Sequence, residues 1–176
     1  MACVLTQGFT LDCSDGFAGI KNFYISEYSN IDATATVIAA GVVTTLTQVG
    51  ATNFYKYEVR QGNGSFVTTP TKSLENGTLF FDTVGQMSVL KLSASKNEEF
   101  KLLLANRAVV ILEDFNGVYW IAGLENGAEF GIGGTTDAMS GVAAGDKYGY
   151  SLGFTDKATR YTPELDATVF AGLTIS

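Results

Sequence analysis

The hydrophobic positions change period between Ser95 and Leu124. Phe100, Leu103 and Leu104 fall at i, i+3 and i+4 and share one apolar helical face. Ser95 and Glu98 have the spacing of a capping box. Glu98 and Glu99 stand at the positive end of the helix dipole, with Lys101 and Arg107 toward its negative end. The spacing predicts a helix over about 95–106, too short to persist without a sheet beneath it. From Ala108 to Phe115 the chain turns β-branched and apolar, and Asn116-Gly117 predicts a type I′ turn, whose central residues both need positive φ. Val118 to Leu124 returns as the partner strand. Asn126-Gly127 signals another turn, with a third strand from near Ala128. The pattern is a helix followed by a β-meander, the helix covering one face.

Elsewhere the pattern reads as strands and turns. Ile20 to Tyr28 is a strand. Ala35 to Val49 is apolar and interrupted at Gly41, either as one bulged strand or as two short strands meeting there. Its Val, Thr and Gly content weighs against a helix. Phe54 to Arg60 alternates, with Tyr55, Tyr57 and Val59 on one face and Lys56, Glu58 and Arg60 on the other. Residues 61–77 are polar, carry three glycines and Pro70, and end in Asn76-Gly77. They read as a functional or assembly loop, or as the outer part of a long hairpin with Phe66 and Val67 at its rim. Thr78 to Leu92 is a long strand with a break at Gly85. Residues 133–146 are small and predict a loop that is mobile in an isolated subunit. Lys147 to Thr155 places Tyr148, Tyr150, Leu152 and Phe154 on one face. Residues 156–167 are a polar connection containing Pro163, and 168–176 are a last strand or an arm. No repeat or boundary divides the chain. Residues 1–176 form one domain: an irregular arm over 1–19, a β core with its helix over 20–155, and a C-terminal segment over 156–176.

Composition narrows the function more than it names it. Of the 176 residues, 46% are hydrophobic and only 16% charged, a sparse surface charge that suggests cover by neighbours. With 20 Gly and 2 Pro the fold class is mainly β. The net charge of −7 argues against a basic nucleic-acid-binding patch. It suits a surface past which DNA slides without sticking. No apolar run reaches the length of a membrane span, and MACVLTQGF lacks the features of a signal peptide. The expected site of assembly is the cytoplasm. Cys3 and Cys13 are too few for a disulfide framework or a zinc site; they are two free thiols or one local disulfide.

Candidate chemistry is thin. The chain has no histidine, which removes Ser-His-Asp, Cys-His and His-metal arrangements. Glu113 and Asp114 are adjacent on a strand and point to opposite faces, so they do not form an opposed catalytic pair. Asp114 reads as turn chemistry. The GIGG of residues 131–134 lacks the Lys-Ser/Thr and the helix of a phosphate loop. The run Asp12 to Gly16 misses the spacing and closing glutamate of a calcium loop. Phe80, Phe81, Phe100 and Trp120 read as core rather than as a stacking platform. No catalytic residue, metal or cofactor is expected, and the chain does not read as an enzyme.

The order ENGTLFFDTVGQMSVLKL, then SKNEEFKLLLANRAVVILEDFNGVYWIAGLENG, then a small-residue loop, then GDKYGYSLGFT resembles the tail tube (major tail) proteins of long-tailed bacteriophages. The resemblance covers about half the chain. It implies a β-sandwich or partial barrel with one flanking helix. It also implies homo-oligomeric rings, hexamers in that family's pattern, stacked into a tube that conducts DNA within the virion, beside other tail proteins. On that basis the segment 61–77 supplies Phe66, Val67, Pro70 and Leu74 to an assembly interface. The N-terminal arm supplies Phe9 and Phe17, and the C-terminal segment Tyr161 and Phe170. A capsid decoration or head–tail connector protein shares this domain class. A carbohydrate-binding β-sandwich is the reading from another class.

Overall fold

The computed structural model describes residues 8–10, 14 and 16–176. Cys3 and Cys13, with most of the acidic run at 12–15, lie outside the described residues. The strands are β1 Ile20–Glu27, β2 Val37–Ala39, β3 Val42–Thr45, β4 Tyr55–Glu58, β5 Gly64–Ser73 and β6 Thr78–Leu90. They continue as β7 Arg107–Asp114, β8 Tyr119–Ala122, β9 Ala128–Phe130, β10 Asp137–Met139, β11 Gly149–Ala158 and β12 Glu164–Leu165. Two α-helices, α1 Ala94–Ala105 and α2 Ala167–Ala171, complete the described elements beside a 3-10 turn at Tyr28–Asn30.

All twelve strands join one sheet, and β7 is its centre. β1 pairs with β7 on one side; β8 and β9 pair with it on the other. Because side chains alternate along a strand, β7 feeds two cores. Ala108, Val110 and Leu112 join Phe23 and Ile25 of β1, Met87 of β6, Leu152 and Phe154 of β11, and Phe100 of α1. Val109 and Ile111 meet Tyr24, Val43, Phe54, Ile121 and Leu165 on the other face. The sheet also curls on itself through β9, β11 and β6 until β5 returns to β1. A Cβ added to Gly64 would stand 2.9 Å from the Ile20 carbonyl oxygen. The architecture is therefore a mainly β, partly closed fold with a flanking helix.

Several local expectations are corrected. The helix starts one residue earlier than the expected 95–106, and Ser93, not Ser95, is its N-cap, its hydroxyl accepting from the Lys96 N–H at 3.3 Å. Phe100 is buried but Leu104 is 45% exposed, because the sheet beneath α1 meets only part of its apolar stripe. Asn116-Gly117 is not a type I′ turn, since only Gly117 has positive φ. The Asp114 carboxylate instead accepts from the Asn116 and Val118 N–H groups at 2.8 and 2.9 Å, and holds a three-residue loop. Two consecutive positive φ values occur at Ala40-Gly41, between β2 and β3, so the segment 35–49 is two strands.

The meander is also replaced. Ala122 of β8 faces Val110, and Ala128 of β9 faces Ala108, so β8 and β9 are one interrupted return strand along β7. Gly85 does not break β6. It leaves room for the Phe154 ring, which would lie 2.2 Å from an added Cβ. Phe80, Phe81 and Trp120 are only half-buried, because β11 stops pairing with β6 at Phe81 and Trp120 lines an open cleft beside Phe17 and Phe66. The loop 133–146 contains β10, paired with β11. Residues 168–176, expected as a last strand or an arm, are neither: most of α2 occupies their first half and the rest is held against Phe54. The C-terminal segment forms β12 and α2, then lies beside Phe54, whose N–H donates to the Thr174 carbonyl at 2.9 Å.

Candidate assembly surface

The segment 61–77 is mostly strand rather than loop. Its Thr and Val residues pair with β6 in a ten-residue antiparallel register from Gly64–Met87 to Ser73–Thr78. The tip, Leu74 to Gly77, closes where Gly77 takes φ +62° and the Ser73 hydroxyl accepts from the Asn76 N–H. β11 stops pairing with β6 at Phe81. The last three pairs, from Thr71–Phe80 to Ser73–Thr78, thus have no third strand, and the ribbon projects about 10 Å beyond the sheet body. Leu74 at the tip is 85% exposed, Val67 63% and Leu79 54%.

β5 also ends the sheet. Pro70 lies on it, and a proline without an N–H is tolerated there only where the missing donor faces away from β6. It leaves a gap in the outward row of donors. Lower down, the Thr68, Thr83 and Thr162 hydroxyls meet within 2.7–2.9 Å and anchor the hairpin base.

The eight residues expected at an interface do not form one patch. Val67, Pro70 and Leu74 share the exposed hairpin. Phe66 is half-buried at its base against Trp120, 6.0 Å between ring centroids. Phe9 is exposed, and Phe17 packs edge-on against Phe115 at 5.2 Å. Tyr161 lies on Phe81 at 4.4 Å. Phe170 is taken up within the molecule: it stacks on Tyr119 at 4.0 Å and meets Tyr24 edge-on. Leu79 and Lys72, directly opposite one another on the ribbon, were missed. Only the cross-strand register identifies them.

A second apolar feature lies between α1 and the β1–β4 edge. It is a half-open cleft of about 230 Å³, with Tyr55, Tyr57, Leu102 and Leu103 in its wall. Glu27, Glu99 and Arg107 bring charge to the same wall. Burial, then the neighbouring Glu99, push the Tyr57 phenol up to about 12. Leu102 is 58% exposed and lies off the stripe predicted for the helix.

Two buried carboxylates could be mistaken for catalytic groups. Burial pushes the Glu113 carboxyl up, but bonds from Asn22, Tyr24 and Lys21, at 2.6, 2.7 and 3.2 Å, bring it below its ordinary value. The same burial, joined by the Glu113 carboxylate, raises the Tyr24 phenol. Asp156 is 5% exposed. One of its oxygens accepts from the Gly123 N–H at 2.7 Å, and the other, Oδ1, has no partner among the described residues. Burial raises its pKa, opposed by that N–H and reinforced by Glu125 and Asp82. Glu113 lies on β7 and Asp156 on β11, with no shared cleft between them in the pockets they line. Among the described residues no group of three or more His, Cys, Asp or Glu could hold a metal ion.

No protein-family model, no curated protein and no solved structure matches this chain. Among the described residues no helix is long and apolar enough to cross a membrane.

Proposed function

We propose that the protein is a self-assembling structural subunit: a phage tail tube protein whose copies form rings, hexamers in the first instance, stacked into a DNA-conducting tube in the virion. The observation that carries this reading is the projecting β5–β6 ribbon. A two-stranded ribbon without a third partner is marginal in water, and this one holds Leu74 and Leu79 out to solvent. Covering each leucine side chain contributes about 1.5–3 kcal/mol, so a neighbouring copy gains from burying them. The open edge of β5 and the low surface charge favour the same reading. The acidic balance suits a lumen that repels phosphates. Negative-stain microscopy of the purified chain across a concentration series tests it. Rings or stacked tubes are expected. A monomer that persists at high concentration, even beside tail-tip components, overturns it.

A further inference from the structure

The hairpin tip and the α1 cleft lie at opposite ends of the molecule. Gly64, at the base of β5, abuts Ile20, at the start of β1. Five successive pairings, β5–β6, β6–β11, β11–β9, β9–β7 and β7–β1, are all antiparallel. An odd number of reversals sets β5 antiparallel to β1. From their meeting point β5 runs to the tip, while β1 runs the other way, to Glu27 in the cleft wall. Val67 stands on one row of the sheet with Arg107, four strands away, and Leu74 lies seven residues further on, so roughly 30 Å separates the tip from the cleft. A chain cannot place its tip in its own cleft.

The two features match in chemistry. The ribbon carries Leu74 and Leu79 with Lys72 and Glu75 beside them; Lys72 has no ion pair among the described residues. The cleft offers Tyr55 and Leu102, both more than half exposed, flanked by Glu99 and Arg107. Leucines meet an apolar floor, and Lys72 meets a wall that carries the carboxylates of Glu27 and Glu99.

We propose that the tip of the β5–β6 hairpin of one copy docks into the α1–β4 cleft of a second copy. The inference rests on the assembly reading above and names the contact that propagates it. Joining two different patches at opposite ends makes a head-to-tail contact, which extends along the strand direction instead of closing as a two-fold dimer. Such a contact builds a ring where the rotation between copies closes and an open stack where it does not. Each leucine buried at the far end replaces solvent on both partners.

The test uses the full chain with Cys3→Ser and Cys13→Ser, mixing one preparation carrying Leu74→Cys with another carrying Leu102→Cys. Oxidation is expected to yield a disulfide-linked dimer on a non-reducing gel, absent when either preparation is oxidised alone. In the parent chain, Lys72→Glu is expected to raise the concentration needed for assembly roughly tenfold, the loss of one interfacial anchor, and Glu99→Lys in the same chain to restore it. An unchanged thermal melt shows that these surface variants fold. Assemblies that form without the cross-link and ignore Lys72→Glu overturn the docking contact while leaving self-assembly standing. A chain that never assembles overturns both.

Discussion

β7 and the β5–β6 hairpin belong to one sheet and meet solvent in opposite ways. β7 is flanked by strands on both edges and by a core on each face, and six consecutive residues, Ala108 to Glu113, are buried. The hairpin has neither beyond Phe81. An apolar run, Ala108 to Leu112, thus gives a pillar in one place, and the polar, threonine-rich β5 with its β6 partner gives an exposed ribbon in the other. The difference lies in what packs against them, since burial of apolar surface, not strand propensity, supplies most of the stability.

The comparison can be broken most forcefully at Leu112, fully buried on β7. Leu112→Ala is expected to cost about 2–5 kcal/mol in a denaturant titration, the range for a leucine cavity in a packed core. A loss below 1 kcal/mol would show that β7 is not the centre of the fold. Next is Glu113, on the same strand. Glu113→Ala strips the acceptor from Asn22, Tyr24 and Lys21, at a cost of about 1–3 kcal/mol near neutral pH. With a lowered folded pKa, Glu113 contributes stability above its unfolded value of about 4.3, and loses it as pH falls through the folded one. The gap between parent and variant therefore narrows in acid; a gap independent of pH refutes the ionised assignment.

Asp156 carries the opposite sign. Its folded pKa is raised, so its favourable contribution is complete below the unfolded value of about 3.9 and disappears as pH rises through the folded one. Asp156→Asn is expected to melt higher than the parent at neutral pH, with the difference shrinking in acid. Thermal melts at a series of pH values check this, and a variant that melts lower at every pH contradicts it. The smallest effect on stability is expected at the ribbon. Leu74→Asp should leave the unfolding free energy of the isolated subunit within about 0.5 kcal/mol, as for other exposed positions. Sedimentation of the same variant should nevertheless show assembly lost. A large destabilisation would mean the tip packs within its own chain.

The β character, the strands at Ile20 and Phe54, the short helix and the turn role of Asp114 were legible because each is written in local spacing. The corrections have a shared physical origin in contacts distant along the chain. Gly85 looked like a strand break until Phe154 filled the space above it. Leu104 looked like core until the sheet beneath α1 proved narrower than its stripe. Phe170 looked like an arm residue until Tyr119 and Tyr24 received its ring. For the candidate surface, the exposed hairpin rim was legible at Val67, Pro70 and Leu74, whereas the α1 cleft was not, because its walls come from three separate segments, at 25–27, 55–57 and 99–108.

By itself the amino-acid order determined a strand-rich chain, turns at specific glycines, and an absence of histidine chemistry, since periodicity, φ freedom and side-chain inventory are properties of residues and near neighbours. Only the tertiary structure decided that β7 lies between two cores, that Glu113 is fully answered while one oxygen of Asp156 is not, and that Leu74 and the α1 cleft stand at opposite ends. Those outcomes depend on which distant strands pair and how far each outlasts its neighbour, and no local pattern encodes that register.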